Sequence, residues 1–458
     1  MIAKHASGED TKKRTIAPWR KLDYAQDRHR GDDCGVWAID STDPARCLQR
    51  APPAIAGDRP VGLSMTRVFA LADQQSFAAL SGDYNPMHVD AVAARRLLFG
   101  RPVVHGIHAV LWAIDQYLAE HFATRAAPIA IRSLCVDFRS PMLVNDPVNL
   151  KVLPSGPNSA QFDLSINGNM TASIKLSIDL TDGIDSVLVD PGLPERLPPR
   201  EPVTSEVKSS AGKIPLHLNP QAAAELFPAA GRLLLPAQFA ALLASTRLVG
   251  MEMPGLHSLY TGLDLTWSDE LQEPALVYSV AEYDERMAMV LTLAVKSPGF
   301  AGRVSTAFRP APTRQAGMTE FRKLVKPDEF RGERALVIGG SRGLGEVTVK
   351  ALAAGGADVR FTYFKGVADA EQILSDISST GGSASAFAFD AQADSQNLPR
   401  LLGSWEPTLL CYFATPFISS GVTNQFDPDK FHAFCNVYVD AFHSTFKVVA
   451  TQLQSVFY

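Results

Sequence analysis

The sequence predicts a chain of mixed architecture, in which an α+β layer occurs twice and an incomplete α/β unit follows. Three observations carry this expectation. A pattern of polar turn, short helix, long apolar helix and alternating strands appears in two copies offset by 129 residues. A strand, a glycine-rich turn, an amphipathic helix and a second strand then run from "RALVIGG" to "ADVRFTYF", once only. Two stretches rich in Pro and charge, 190–213 and 309–333, separate these segments.

Residues 1–60 mix charge, Pro and small residues with no sustained period, and are expected to be a mobile leader with a short ordered piece near "CGVWAID". The first copy spans 61–185. Its long helix is "GIHAVLWAIDQYLAEHF", and its strands include "NLKVL", "AQFDLSI" and "ASIKLSI". A Pro-rich linker occupies 186–213, and the second copy spans 214–312 with the helix "PAQFAALLASTRLVG". The offset places "NPMHVDAVAARRLL" over "IPLHLNPQAAAELF", so that Pro86 meets Pro215, His88 meets His217 and Leu97 meets Leu226. It also brings "SLCVDF" over "GLDLTW" and "QFDLSINGN" over "VLTLAVKSP". Three matches at one offset indicate a duplication. In each copy a curved antiparallel sheet should wrap the long helix. A second linker, 313–332, leads to the unit at 333–458, where βαβ order requires a parallel sheet.

Composition narrows the function classes. A chain of 458 residues with 46% apolar and 20% charged residues is globular and long enough for several domains. The formal net charge of -5 comes without a long basic stripe, which argues against nucleic acid as a partner. The cysteines Cys34, Cys47, Cys135, Cys411 and Cys435 are scattered with no CxxC pair, so neither a disulfide framework nor a zinc site is expected. The N-terminus has no apolar signal core, and "LLLPAQFAALLASTRLVGMEM" carries Arg247, Glu252 and a Pro, so it reads as a core helix. The expected protein is cytoplasmic, with no membrane partner and no metal.

The segment "SGDYNPMHVD" (81–90) concentrates groups that move protons. Pro86 fixes its own φ and forces Asn85 to be extended, so the turn is stiff. A stiff turn can aim a carboxylate, Asp83, and an imidazole, His88, at one small volume, as water activation requires. On these residues alone a capped helix start explains the pattern equally well. With the downstream "FGRPVVHG", the segment resembles the signature of MaoC-like enoyl-CoA hydratases, the (R)-specific hydratases of the hotdog fold. The matching residues are Gly82, Asp83, Asn85, Pro86, His88, Phe99, Gly100, His105 and Gly106, and the likeness extends over about 62–180. "VDFRSPMLVNDPV" resembles the strand and turn that follow in that family. The resemblance implies addition of water to a trans-2-enoyl thioester, giving the (R)-3-hydroxyacyl product in fatty-acid or polyketide-type metabolism. It assigns Asp83 and His88 to share the water, with Asp83 as base and His88 as proton donor the preferred of two arrangements. Asn85 would orient one of them, and the Gly106 N–H would polarise the thioester carbonyl. His105 and His108 are read as structural. Hydration needs no cofactor, and the partner is an acyl-CoA or acyl-carrier-protein thioester.

In the second copy Asp83 falls on Gly212 and Asn85 on Ile214, so His217 reads as a packed histidine without a carboxylate partner. That copy is expected to be silent, completing a double hotdog and shaping the acyl channel. "GMEMPGLHS" (250–258) resembles the family's loop into the central strand and is read as structural.

In the third segment "VIGGSRGLGE" lies between a strand and a helix, where a dinucleotide turn belongs. Gly339, Gly343 and Gly345 resemble the Gly-x3-Gly-x-Gly spacing of short-chain dehydrogenases, with Ile338 where that family often has Thr. The resemblance implies an α/β Rossmann-like fold with an NADP site built from Gly339, Ser341, Arg342, Gly343, Leu344, Gly345, Lys365 and Asp390. Arg342 and Lys365 would favour the 2′-phosphate, and Asp390 would lie near the adenine. Beyond this the chain departs from the family. It has "CYFATP" where Asn-Asn-Ala-Gly is usual; Asn436 in "FCNVYVDAF" resembles the family's helix Asn, but no Tyr-x3-Lys occurs at Tyr412 or Tyr438. The sequence stops at Tyr458, where the family's sheet continues, so the domain reads either as truncated or as a degenerate domain with a structural role, and reductase activity is not expected of it. Two other functions stand beside a hydratase: an acyl-thioester binding or scaffold remnant, and an NADP-dependent 3-ketoacyl reductase if further sequence completes it. An unfinished sheet edge at 405–458 would invite association, with a homodimer as one outcome.

Overall fold

A computed structural model describes residues 64–181, 187–284, 290–416, 418 and 426–458. Contacts divide the chain into residues 1–60, which lie outside the described residues together with the expected leader, and Val61–Tyr458.

The first half runs β1 (Ser64–Val68), α1 (Leu71–Ser81), α2 (Pro86–Val89), α3 (Ala91–Ala94), α4 (Gly106–His121), β2 (Ile129–Phe138), β3 (Pro147–Gly156), β4 (Ser159–Ile166) and β5 (Asn169–Leu180). α4 is apolar nearly all round, and a helix of that kind must be covered on every side. Ile107, Leu111, Ile114 and Leu118 are accordingly fully buried. The strands alternate instead. In β4, Ala160, Phe162 and Leu164 face the core while Gln161 and Asp163 do not.

The second half runs α5 (Thr204–Val207), β6 (Ala211–Pro215), α6 (Pro220–Leu226), α7 (Pro228–Leu233), α8 (Pro236–Arg247), a π-helical turn at Leu248–Glu252, β7 (Ser258–Thr266), β8 (Ala275–Tyr283), β9 (Val290–Ser297) and β10 (Phe300–Phe308). Both halves join one antiparallel sheet in the order β1-β3-β4-β5-β2-β7-β10-β9-β8-β6, each half mirroring the other from edge to centre. The seam is β2 against β7, from Ser133↔Thr266 to Asp137↔Gly262. A single apolar core from Phe69 to Val304 spans both halves.

The 129-residue offset relates α4 to α8 and β2 to β7, but it fails ahead of them. Pro86 opens α2, whereas Pro215 closes β6, an edge strand paired with β8 from Ala211↔Ser279 to Pro215↔Ala275. The residues aligned with Gly82–Pro86 are therefore strand β6, and the first helix after it, α6, begins only at Pro220. The expected linker at 186–213 contributes α5 and the start of β6, and that at 313–332 holds α9 (Met318–Leu324), which buries Met318 and Phe321.

The remaining elements are β11 (Arg334–Ile338), α10 (Gly343–Ala354), β12 (Asp358–Tyr363), α11 (Val367–Ser379), β13 (Ala384–Ala388), α12 (Leu398–Leu402), β14 (Leu409–Tyr412), α13 (Pro428–Cys435), α14 (Phe442–Val449) and β15 (Ser455–Phe457). They build a parallel sheet in the order β13-β12-β11-β14-β15. Separate apolar clusters cover its two faces, one around Val337 and Phe361, the other around Leu336 and Leu410. Among the described residues no helix is long and apolar enough to cross a membrane.

Candidate active site

The turn that carries Asp83 is built by its neighbours. Gly82 ends α1 in the left-handed region (φ 79°), and its N–H donates to the Ala78 carbonyl at 2.8 Å. A side chain there would also meet Arg247 Cδ and Pro194 Cβ at 2.7 Å. Asn85 then caps α2, its Oδ1 accepting from Met87 N at 3.1 Å, and Pro86 takes the first helical position. The Asn85 amide nitrogen donates to the carbonyls of Gly250 (3.0 Å) and Gly255 (3.1 Å), which fastens the turn to the second half.

Asp83 is only 1% exposed. Its Oδ1 accepts from Asn85 N at 3.2 Å and its Oδ2 from the Thr246 hydroxyl at 2.7 Å. Asn85 thus orients the carboxylate through its backbone N–H, while its side chain holds the loop opposite. His88 Nδ1 donates to the Val103 carbonyl at 2.7 Å, which directs Nε2 away from that bond. Burial raises Asp83 above the usual carboxylate range, opposed by His88 and by the Thr246 and Asn85 donors. Burial lowers His88, opposed by Asp83 and the Val103 carbonyl, and Arg309 pushes it slightly further down. The two groups therefore move toward each other on the pH scale, as proton exchange between acid and base favours.

His105 braces this arrangement. Its ring stacks on His88 with centroids 3.9 Å apart. Its Nε2 lies 3.0 Å from the Asp83 carbonyl and its Nδ1 2.9 Å from Gln74 Oε1. Burial and the neighbouring His88 hold His105 well below the usual imidazole range. An oxygen of Asp83 and one ring nitrogen each of His88 and His105 lie within 4.8 Å of one another, so three ligand atoms are close enough for a metal. His88 Nδ1 and both His105 nitrogens already face protein oxygens, and a metal drawing on His105 would have to displace one of those bonds.

Gly106 is the first residue of α4, where amide N–H groups lack acceptors within the helix. A Cβ there would meet the Phe138 ring at 2.7 Å. Asp83, His88 and Gly106 all border one cavity of about 180 Å³, whose apolar wall comes from Phe138 of the first half and Val249 and Tyr260 of the second. Sequence reasoning brought these three polar positions to one place but missed Thr246 and Gly250. Both lie in the half without the signature; no local pattern marks Thr246, and Gly250 opens "GMEMPGLHS", which reads from sequence only as a structural loop. A Cβ on Gly250 would fall 2.1 Å from Asp83 Oδ1.

His217 corrects an expectation. Its Nδ1 lies 3.2 Å from Asp190 Oδ2, so a carboxylate neighbour exists, supplied by the segment before the second half. Asp190 and His217 are brought together by a parallel β-bridge. Burial and Arg247 lower the imidazole pKa while Asp190 raises it.

The glycine turn after β11 is tightly packed. Gly339 (φ 78°) has its N–H on the Thr362 hydroxyl at 2.9 Å, and a Cβ there would meet Phe413 and Ala414 backbone at 2.8 Å. A Cβ on Gly345 would meet the Gly339 carbonyl oxygen at 2.2 Å, whereas Gly343 (φ 59°) faces open space. Glycines that press strand to helix and leave an open rim fit a phosphate-bearing nucleotide held at the start of α10. Ser341 is buried, and Leu344 and Lys365 are exposed. Lys365 Nζ stands 5.0 Å from the Phe364 ring centre. Asp390 Oδ1 accepts from Gln392 N after β13. Arg342 donates to the Arg95 carbonyl at 3.2 Å, in the segment between His88 and Phe99.

The chain carries a MaoC-like domain: residues 54–174 match the family model described as "MaoC like domain". It is similar to the (R)-specific enoyl-CoA hydratase of Aeromonas caviae, 32% identical over 88 residues that make up 19% of this chain and 63% of that protein. It is likewise similar to the mitochondrial 3-hydroxyacyl-[acyl-carrier-protein] dehydratase of Arabidopsis thaliana, 34% identical over 87 residues, 19% of this chain and 49% of that one. The matches therefore span 63% and 49% of the length of these curated relatives. Among solved structures it is similar to a short chain dehydrogenase from Burkholderia cenocepacia in complex with NADP, 31% identical, covering 27% of this chain and 52% of that one at a TM-score of 0.24.

Proposed function

We propose that the antiparallel part, read as a double hotdog, is an (R)-specific enoyl-thioester hydratase that interconverts trans-2-enoyl and (R)-3-hydroxyacyl thioesters. The observation that carries this reading is the placement of a buried carboxylate and a buried imidazole on one apolar cavity that Gly106 also borders. Asp83 removes a proton from water as the water oxygen bonds to C3 of the enoyl group. The electron pair of the double bond moves toward the thioester oxygen, where the Gly106 N–H and the start of α4 stabilise the negative charge. His88 delivers a proton to C2. Two donors on Asp83 favour its carboxylate form. Dehydration retraces these steps.

The parallel part is read as a Rossmann-like NADP-binding domain. Gly339, Ser341, Gly343, Leu344 and Gly345 would approach the pyrophosphate, Lys365 and Arg342 the 2′-phosphate, and Asp390 the adenine. NADP would supply hydride chemistry when bound. The sequence has no Tyr-x3-Lys pair for the proton relay of ketone reduction, and hydration, which involves no net oxidation or reduction, requires no nucleotide.

The curated relatives' names mention both CoA and acyl carrier protein, so both carriers belong in the test. Loss of the enone absorbance of crotonyl-CoA reports hydration directly. Asp83→Asn and His88→Ala should each slow it by roughly a hundredfold to ten-thousandfold. No hydration of crotonyl-CoA or carrier-bound crotonyl chains by the folded wild-type protein would leave a thioester-binding role instead.

A further inference from the structure

The second half has lost the signature residues, yet its α8 reaches the catalytic carboxylate. Thr246, on the last turn of α8 and 3% exposed, donates its hydroxyl to Asp83 Oδ2 at 2.7 Å. An ionised carboxylate only accepts, so the direction of this bond is set when Asp83 is charged. Among the described residues, the first half adds the Asn85 N–H on Oδ1 at 3.2 Å. Each oxygen thereby has one donor, and unused lone pairs remain for water. The bond is also well anchored. α8 continues into the turn at Leu248–Glu252, and the Gly250 carbonyl accepts from the Asn85 amide at 3.0 Å. Ser245, beside Thr246, accepts from the Tyr260 hydroxyl at 3.1 Å, which ties the same stretch to the cavity wall.

We propose that Thr246 is a positioning residue of the hydration reaction, acting through Asp83: its hydroxyl holds the carboxylate in one rotamer and keeps it ionised in a buried site. This inference rests on the hydratase reading and deepens it, because it makes the silent half a contributor to the chemistry. Losing the hydroxyl leaves a buried carboxylate oxygen without its donor, and protonation is the cheapest relief.

The test compares wild type, Thr246→Val, Thr246→Ala and Thr246→Ser in the full chain, with folding checked by circular dichroism. For crotonyl-CoA hydration, Thr246→Val should lower kcat by roughly tenfold to a hundredfold, leave KM within about twofold, and move the acid limb of the kcat profile up by about one pH unit or more. Thr246→Ser should restore both kcat and the limb, and Thr246→Ala should behave as Val does. A second readout needs no activity: the Asp83 carboxyl titration followed by carbon-13 NMR in wild type and in each variant. An unmoved Asp83 titration in both Val and Ala variants would overturn the role of Thr246. A shifted titration in a protein whose wild type hydrates nothing would sink the hydratase reading and leave the Thr246–Asp83 linkage standing.

Discussion

Asp83 and His88 start from opposite ends of the acidic range and are driven together by burial, which penalises carboxylate and imidazolium alike. The proposed hydration direction needs Asp83 charged and His88 protonated. Activity should therefore fall as pH drops through the raised Asp83 pKa and fall again as pH rises through the lowered His88 pKa. Relative to the ordinary values of 3.8 and 6.5, the acid limb of the kcat profile moves up and the alkaline limb moves down, giving a narrow bell. Measured kcat for crotonyl-CoA between pH 4 and pH 9 would check this. An alkaline limb at or above the ordinary histidine value would assign it to a group other than His88. At this scale the sequence was informative where chemistry is local. The Gly82-to-His88 run displays its cap, its Pro and its two titratable groups within one turn. Thr246 lies 163 residues from Asp83, and only folding brings its hydroxyl there.

Among the elements, the π-helical turn after α8 lies directly against the turn that carries Asp83. A regular helix would keep its side chains at full spacing, whereas this turn presents the bare Cα of Gly250 to Asp83, where a Cβ would sit 2.1 Å from Oδ1. Backbone cannot easily yield, because the Gly250 carbonyl is itself held by the Asn85 amide. Gly250→Ala should accordingly displace the carboxylate, reduce kcat for hydration by roughly a hundredfold or more, and lower the midpoint of thermal unfolding modestly. Kinetics and melting on the one variant would separate the two effects, and wild-type kcat would disprove the tight contact. Element order followed from the sequence because α4 and the alternating strands announce themselves by period. The duplication was legible from α4 onward and misleading before it. Pro215 and His217 share letters with Pro86 and His88, but Pro215 ends an edge strand paired with β8 and His217 follows it. Letters align by composition; the partner strand β8 decides the conformation.

Across the whole molecule, the antiparallel and parallel sheets carry separate apolar cores. One cluster spans both halves of the antiparallel part, and two others cover the faces of the parallel sheet. Contacts such as the Arg342 to Arg95 carbonyl bond join the two parts, and Val61–Tyr458 forms one compact unit. A partly exposed hydrogen bond contributes about 1 kcal/mol, far less than a core of buried aliphatic and aromatic side chains. Unfolding should therefore occur in two calorimetric transitions, one for each sheet. Leu336 sits fully buried on the central strand β11, so Leu336→Asp places an unpaired charge in that core. The transition of the parallel sheet should drop or vanish, while the antiparallel transition keeps its midpoint and crotonyl-CoA hydration stays within about twofold. NADPH, if it occupies the glycine turn, should raise only the parallel transition in wild type and have no effect in the variant. A single transition that Leu336→Asp shifts as a whole would show instead that the two sheets fold as one, and a matching loss of hydration would make it depend on the parallel part, none of whose described residues lines the cavity.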